Sequence, residues 1–250
     1  MKLIELSTIV EPTMISELSI EQLQELQLAL NRLGLPAGPI DGLIGPRTRN
    51  AWAEFKSDYY SGNSDMIGAE SVAVLQELVK GTKIGFGDHD FNTKHGVIEA
   101  IKNECKSQGI GLSSQIAYVL ATVEWETAQT FRPVKEAFYL RNAEQWRKEN
   151  LRYYPYYGRG FVQLTWQTNY EKYSRLLGVD LVSDPDMALN GDIALFILVH
   201  GFKTGAFTGR KITDYINNHQ NDFARCRRCI NGNDQAIEIA RLAEKFLLTL

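Results

Sequence analysis

Two glutamates stand at the end of a strongly apolar helix, where a carboxylate has unusual surroundings. A helix is predicted from about residue 115 to 127, capped by Ser113 or Ser114. Its apolar face follows a three-to-four spacing: Ile116, Val119, Leu120 and Val123. Glu124 and Glu126 both flank this face. Apolar surroundings and the negative end of the helix dipole favour the protonated carboxylic acid, the form that a glycosidase general acid needs. Periodicity does not separate the two glutamates, and either could instead be a solvated charge at the helix end.

A further carboxylate, Glu136, follows Pro133, which prevents that helix from continuing. Glu136 stands ten residues after Glu126, so a turn could bring the two to opposite sides of a cleft. Carboxyl groups about 6.5–9.5 Å apart suit an inverting glycosidase, with a water between base and sugar, whereas about 5 Å suits a retaining one. The alternative for Glu136 is an ion pair with Lys135 or Arg132.

The stretch from Tyr153 to Trp166 concentrates aromatic, glycine and neutral polar residues. Sugars stack their apolar ring faces on aromatic side chains and form hydrogen bonds with amides and hydroxyls. The candidate polar groups are Gln163, Thr165 and Asn169, and an extended chain would place Gln163 and Thr165 on one side. Aromatic packing with internally satisfied polar groups is the alternative.

The three cysteines, Cys105, Cys226 and Cys229, cannot form a complete disulfide set. We expect reduced thiols in a cytoplasm, because the N-terminal residues lack the pattern of a signal peptide. The Cys226-x-x-Cys229 spacing could be a redox or half-zinc motif, but small buried side chains are the favoured interpretation, since His219 is the nearest imidazole. The histidines show no HExxH spacing, so we expect no metal and no cofactor.

The composition is that of an ordinary globular protein. The chain has 250 residues, with 27 Lys and Arg against 30 Asp and Glu, a formal charge of −3 and 44% hydrophobic residues. This apolar fraction excludes global disorder. The mild acidity argues against a nucleic-acid binder, and no apolar run approaches the length of a membrane span. We expect a monomer with no nucleic-acid partner and no membrane insertion.

A glycine-rich linker, residues 81–89, separates two blocks. The first, residues 1–80, is predicted to form three short helices, of which the first begins at a capping box, Ser19 to Gln22. The second, residues 90–250, is also mainly helical. Further helices are predicted there at 169–177, 191–202, 210–218, 221–229 and 233–249, with a short strand candidate at 159–165. The expected fold class is all-α with a minor short β element, plus a small three-helix domain.

The first block contains a sequence, D-G-L-I-G-P-R-T, from Asp41 to Thr48. With the preceding helix L-Q-L-A-L-N-R-L-G, it resembles the peptidoglycan-binding domain 1 family over roughly residues 18–80. The resemblance implies a module that binds the bacterial cell wall. Taken individually, the Asp41-Gly42 and Gly45-Pro46 pairs are residues that favour turns, and any role in binding a ligand is secondary.

The second block resembles glycoside hydrolase family 19, in its phage-endolysin and lysozyme-like branch. The resemblance rests on A-T-V-E-W-E-T-A-Q-T-F-R-P-V-K-E from residue 121, on G-R-G-F-V-Q-L-T-W-Q-T-N-Y from residue 158, and on shorter matches that reach C-I-N-G at 229–232. It implies a lysozyme-like catalytic fold and cleavage of a β-1,4-linked glycan.

The resemblance also implies roles for single residues. Glu126 corresponds to the general acid, Glu136 to the general base and Thr165 to the hydroxyl that holds the attacking water. The residues implied to bind substrate are Gln163, Asn169, Asn231 and Tyr139. Trp125 stands where the family usually has histidine, so it either desolvates Glu126 further or simply packs.

The sequence thus predicts a two-domain endolysin that hydrolyses peptidoglycan, made in a host cytoplasm and acting on the wall after release. Three alternatives stay open: a chitinase acting on the same linkage, a metal or cysteine wall peptidase or amidase, and a non-catalytic wall-binding protein. The paired glutamates disfavour the last, and the histidine spacing disfavours a zinc peptidase.

Overall fold

The structure is a computed structural model that describes residues 2–81 and 89–250. The chain divides into two compact units, Met1–Gly85 and Phe86–Leu250. Most of the predicted linker, 82–88, lies outside the described residues. Helices dominate both units, which confirms the prediction of a mainly helical fold. No helix in the described ranges has the length and apolar character that crossing a membrane requires.

The helices of the first unit are α1 (Ile20–Arg32), α2 (Pro46–Phe55) and α3 (Ala69–Gly81). The predicted capping box starts α1: the Gln22 amide donates to Ser19 Oγ at 3.2 Å, and the Ser19 amide donates to Gln22 Oε1 at 3.0 Å. A π-helical turn, Lys56–Tyr60, continues α2. Strands β1 (Thr13–Met14) and β2 (Met66–Ile67) pair antiparallel. Buried Trp52 and Phe55 stack at 4.8 Å in the core.

A buried amide organises the loop between α1 and α2. Gln27 on α1 donates through Nε2 to Asp41 Oδ1 at 2.9 Å and to the Leu43 carbonyl at 3.0 Å. Its Oε1 accepts from the backbone amides of Asp41 and Gly42. Gly42 has φ 73°, and a Cβ there would stand 2.6 Å from a methyl carbon of Ile20. The D-G-x-x-G-P-x-T sequence therefore builds a turn against α1.

The longer helices of the second unit are α4 (Lys94–Ser107), α5 (Ser113–Glu126), α6 (Ala143–Asn150), α7 (Gln167–Leu177), α8 (Gly191–Thr204) and α10 (Ala236–Leu247); α9 (Phe223–Cys226) is a single turn. Helix α5 is central: every residue from 114 to 123 is buried, and α10 packs along it. Two antiparallel pairs join β3 (Val134–Lys135) to β4 (Arg159–Gly160) and β5 (Ile216–Asn217) to β6 (Gln220–Asn221).

Several local predictions for the second unit were wrong. The helix at 210–218 is a 3₁₀ turn, Ile212–Asp214, followed by the β5–β6 hairpin. There the Asn217 side chain accepts from the His219 amide at 2.9 Å and favours a turn over a helix. Neither Ser113 nor Ser114 caps α5; the Gln115 side chain accepts from the Leu112 amide. Helix α6 was missed because its sequence is almost entirely polar.

The helix predicted at 221–229 is two short pieces. Helix α9 ends at Cys226, and a 3₁₀ turn, Arg227–Cys229, follows it. The Asp222 side chain caps α9 by accepting from the Arg225 amide at 3.0 Å. The tight turn places Arg227 inside the fold, with a side chain only 3% exposed.

Replacing Gln27 with alanine is expected to lower the free energy of unfolding of the first unit by about 2 kcal/mol, because buried backbone groups lose their partners. Denaturant unfolding of the full chain, followed by tryptophan fluorescence, measures the change. Gln24→Ala, on the same helix but outside this network, is the control. An equal effect of the two substitutions would show that the Gln27 hydrogen bonds do not stabilise the loop.

Candidate active site

A cleft of about 360 Å³ lies in the second unit. It is lined by the end of α5, by the segment between β4 and α7, by Phe207, and by the residues after α9. Five of the predicted site residues line it: Glu126, Gln163, Thr165, Asn169 and Asn231. The fold therefore brings together groups that are up to 105 positions apart in the sequence, from residue 126 to residue 231.

Glu126 is held by an arginine. Its side chain is 16% exposed, and Oε1 accepts from Arg227 Nη1 at 2.6 Å. Arg227 is fixed in turn, since its Nε donates to the Asp234 carbonyl at 2.9 Å. The sequence predicted apolar surroundings for this carboxyl group, whereas the structure places a buried guanidinium against it. The prediction considered only α5, and the arginine comes from another part of the chain.

The structure separates the two glutamates that periodicity left equivalent. Glu124 does not line the cleft, and its Oε2 lies 3.9 Å from Lys94 Nζ. Trp125, between them, is 38% exposed and also lies outside the cleft lining. Trp125 therefore does not form part of the cleft wall. Of these three side chains, only Glu126 is placed to meet a ligand in the cleft.

Both oxygens of Glu136 accept hydrogen bonds. Tyr153 donates its hydroxyl to Oε1 at 2.8 Å, and the Gly158 amide donates to Oε2 at 2.9 Å. The Glu136 amide also donates to the Gly158 carbonyl at 2.7 Å, which extends the β3–β4 pairing. The alternative ion pair with Lys135 is not formed, because Lys135 Nζ binds Asp186 at 2.6 Å.

Tyr153 connects Glu136 to the cleft. It lines the cleft while it donates to Glu136, so the carboxylate lies one hydrogen bond away from the cleft wall. Desolvation, together with the hydrogen bond to Glu136, raises the pKa of Tyr153 to about 12. The hydroxyl therefore stays protonated in any physiological solution and remains a donor to the base.

The strand predicted at 159–165 is confirmed only for β4, Arg159–Gly160, and the chain turns tightly after it. Arg159 and Leu164 exchange backbone hydrogen bonds of 3.2 and 2.8 Å, and the chain reverses between them. Gly160 has φ 89° and Gln163 has φ 56°, so Gln163 is not in an extended chain with Thr165. The sequence did not reveal this, because glutamine rarely adopts a positive φ. Gly158 is needed beside the turn, since a Cβ there would stand 2.6 Å from Gln163 Oε1.

The polar side chains of this segment donate hydrogen bonds to nearby backbone carbonyls. Gln163 Nε2 donates to the Val134 carbonyl at 3.2 Å, and Thr165 Oγ1 donates to the Gln163 carbonyl at 2.7 Å. Asn169 Nδ2 donates to the Thr165 carbonyl at 2.8 Å. These hydrogen bonds fix the three side chains in place. The only hydroxyl hydrogen of Thr165 is committed to the Gln163 carbonyl, so a water or sugar hydroxyl would meet Thr165 Oγ1 as a donor.

A buried arginine supports the same segment from behind. Arg159 is 4% exposed, and its Nη1 donates to the Pro155 carbonyl at 3.0 Å and to Tyr170 Oη at 3.1 Å. Its Nε binds Asp186 Oδ1 at 2.8 Å, and its guanidinium lies 3.7 Å from the centre of the Tyr157 ring. These contacts make the aromatic stretch a rigid support for the cleft.

The remaining predicted residues differ in their placement. Asn231 lines the cleft, and its backbone amide donates to the Arg227 backbone carbonyl at 3.0 Å. Tyr139 does not line the cleft: it is 78% exposed and packs edge-on against Phe138, with ring centres 5.9 Å apart. A substrate that contacts both Glu126 and Tyr139 must therefore extend beyond this cleft.

Sequence reasoning missed Arg227. The sequence offers one clue to its burial. Arg227 lies between Cys226 and Cys229 in a short helical segment, and cysteine is a residue type that is usually buried. Both cysteines are fully buried, with Sγ atoms 3.9 Å apart. Desolvation raises the pKa of the Cys226 thiol well above its usual value. In the described part of the chain, no cluster of three His, Cys, Asp or Glu side chains is arranged to hold a metal ion.

Residues 94–207 match the sequence model of the glycoside hydrolase family 19, described as chitinase class I. Chitinase 8 of Oryza sativa subsp. japonica is 48% identical over 42 residues, which are 17% of this chain and 16% of that protein. Basic endochitinase B of Arabidopsis thaliana is 46% identical over 41 residues, 16% of this chain and 12% of that protein. The chain therefore spans less than a fifth of these curated relatives.

Two solved structures overlap 64% of the chain. Chitinase C from Streptomyces griseus is 22% identical, with a TM-score of 0.41 over 70% of that protein. A bacterial family 19 chitinase is 20% identical, with a TM-score of 0.39 over 86% of that protein. The match to the family model over residues 94–207 supports a glycoside hydrolase domain of the family 19 type in the second unit.

Proposed function

We propose that this glycoside hydrolase cleaves the β-1,4 bonds of the bacterial cell-wall glycan with inversion of configuration. The observation that carries the proposal is the cleft that Glu126 shares with the polar residues Gln163, Thr165 and Asn169, with a second carboxylate one hydrogen bond behind the cleft wall. A sugar polymer offers many hydroxyl groups to such side chains. The carboxylates offer an acid and a base for hydrolysis.

Glu126 protonates the leaving oxygen. Arg227 binds Oε1, so Oε2, which accepts no hydrogen bond from the described residues, is the oxygen that carries the proton. Arg227 also fixes the direction of the carboxyl group, which a general acid needs for transfer to the glycosidic oxygen.

Glu136 activates the attacking water. Its two hydrogen bonds hold the carboxyl group back from the cleft, which suits a base that reaches the sugar through a water rather than a nucleophile in direct contact. The hydrogen of the Thr165 hydroxyl is committed to the Gln163 carbonyl, so Thr165 Oγ1 accepts a hydrogen bond from that water. The water then donates one hydrogen to Thr165 and the other to Glu136.

The substrate is peptidoglycan in this proposal, and chitin is the second candidate. Peptidoglycan is supported by the first unit, in which the D-G-x-x-G-P-x-T turn resembles peptidoglycan-binding domain 1. Chitin is supported by the names of the relatives, which are chitinases. Turnover of purified peptidoglycan and of N-acetylglucosamine oligomers, with mass spectrometry of the new reducing ends, decides between them. Faster turnover of the chitin oligomers would contradict the proposal.

The resemblance to the endolysin branch supports a further part of the proposal. The protein is a phage endolysin, made in a host cytoplasm, which reaches the wall after release and acts there as a bacteriolytic enzyme. The first unit then keeps the catalytic unit on an insoluble polymer, since a second attachment raises the effective concentration of substrate.

Glu126→Gln is expected to reduce turnover by about 10²–10⁴-fold, because glutamine keeps the shape and a hydrogen bond to Arg227 but delivers no proton. The rate is measured on soluble glycan fragments, with the melting temperature as a check of folding. Glu124→Gln, two residues earlier and outside the cleft, should retain most of the activity. If the two variants exchange these outcomes, the acid is Glu124.

Tyr153→Phe is expected to lower kcat about tenfold with little change in KM, since one neutral hydrogen bond to the base is lost while the ring in the cleft remains. Tyr154→Phe is the matched control, because that hydroxyl donates to Glu144 and not to Glu136. Equal rates for Tyr153→Phe and wild type would mean that Tyr153 does not position the base.

Thr165→Val should lower the catalytic rate far more than the affinity for the glycan, because it misplaces the nucleophile without removing ground-state contacts. Rate constants and binding are compared with those of Thr168→Val, an exposed threonine three residues away. Mild and equal effects in both variants would rule out a water-holding role for Thr165.

A further inference from the structure

A second cavity, of about 500 Å³, lies in the first unit. This volume is within the range of about 300–1,000 Å³ that is typical of small-ligand sites. One side of the lining is apolar and comes from Val10, Pro12 and Met66. Polar residues, Ser61 and Glu70 among them, form another part, and Lys56 reaches the same space.

Lys56 is a buried cation with no anionic partner. The residue is 5% exposed, and across residues 2–81 and 89–250 its Nζ forms no hydrogen bond or ion pair. The ammonium lies 4.2 Å from the centre of the Tyr60 ring and 5.5 Å from that of Trp52. Desolvation lowers the pKa of Lys56. Burial of an ammonium group is costly unless an anion compensates it, so this side chain is prepared for an anionic ligand.

Unusual backbone conformations lie beside Lys56. The π-helical turn Lys56–Tyr60 ends at Ser61, which has φ 66° and ψ 147°, a region that residues other than glycine rarely occupy. Gly62 follows with φ 124°, and a Cβ there would stand 3.7 Å from Lys56 Nζ. π-Helical turns and strained residues concentrate at functional sites. Here both border the buried ammonium.

The charges in the cavity narrow the class of ligand. Glu70 also lines the cavity, and its Oε2 accepts from the Tyr60 hydroxyl at 2.8 Å. A cation and an anion in one cavity fit a zwitterion, whereas Glu70 would repel a polyanion. A neutral amino-sugar chain has no charge to offer Lys56. The zwitterionic part of peptidoglycan is its stem peptide, which carries free carboxylates and an ammonium group.

We infer that this cavity binds the stem peptide of peptidoglycan, with a peptide carboxylate on Lys56 and a peptide ammonium near Glu70. The inference rests on the proposed function, since it takes peptidoglycan as the polymer. The apolar side of the cavity then accepts the methyl groups of the alanine residues. The first unit thereby recognises the peptide, while the cleft of the second unit acts on the glycan.

Isothermal titration calorimetry on the full chain tests the inference. The probe is a synthetic tetrapeptide, L-Ala-γ-D-Glu-L-Lys-D-Ala, and the comparison ligands are peptide-free glycan oligomers and inorganic phosphate. We expect the peptide to bind the wild type and Lys56→Met to weaken its affinity at least about tenfold. Glu70→Gln, which keeps the acceptor for Tyr60, should also weaken it. Melting temperatures confirm that the variants fold.

Lys80→Met is the matched control, because Lys80 pairs with Glu77 on an exposed face outside the cavity. It should bind the peptide as the wild type does. No binding of the peptide by the wild type, unchanged affinity in Lys56→Met, or phosphate binding as tight as that of the peptide would each overturn the inference. Turnover of soluble glycan is measured in parallel. If the wild type does not cleave glycan, the proposed function is contradicted. Lys56→Met should cleave soluble glycan as fast as the wild type does.

Discussion

The catalytic unit depends on an ion pair at the end of a buried helix. Helix α5 is buried from residue 114 to 123, and it ends in Glu126, whose charge is opposed by the apolar surroundings and by the helix dipole. Arg227, almost fully buried, compensates that charge and fixes the carboxyl group toward the cleft. Each member would be a buried, uncompensated charge without the other. The helix, the turn after α9 and the cleft are therefore parts of one arrangement.

The second carboxylate is positioned by backbone rather than by charge. Glu136 follows β3, and its carboxylate accepts from the Gly158 amide just before β4, so the strand pairing itself sets its place. The β3–β4 pair is only two residues long, but the turn that follows β4 carries Gln163 and Thr165 into the cleft. Arg159 locks this turn from the buried side. The two carboxylates are thus held by different kinds of interaction, an ion pair and a short sheet.

Local sequence patterns predicted the parts of the site that local physics determines. The apolar repeat located α5 and its terminal glutamates, since a buried helix needs no distant residue to be recognised. The pattern could not distinguish Glu124 from Glu126, because the difference is made by Lys94 on one side and by Arg227 on the other. The turn at Gln163 was taken for a strand, since β-forming residues surround a glutamine with positive φ. The sequence did not reveal which distant residues pair or where the backbone angles are unusual.

The order in which these residues occur along the chain affects when the enzyme becomes competent. Arg227 follows Glu126 by 101 residues, and α10, which packs along α5, comes later still. A ribosome adds about 5–20 residues per second, and domains form from the N-terminal side first. A nascent chain can therefore expose α5 and both carboxylates for several seconds before the guanidinium arrives. The Glu126–Arg227 pair forms only when synthesis has passed residue 227, so an unfinished chain has no partner to hold Glu126 in the cleft.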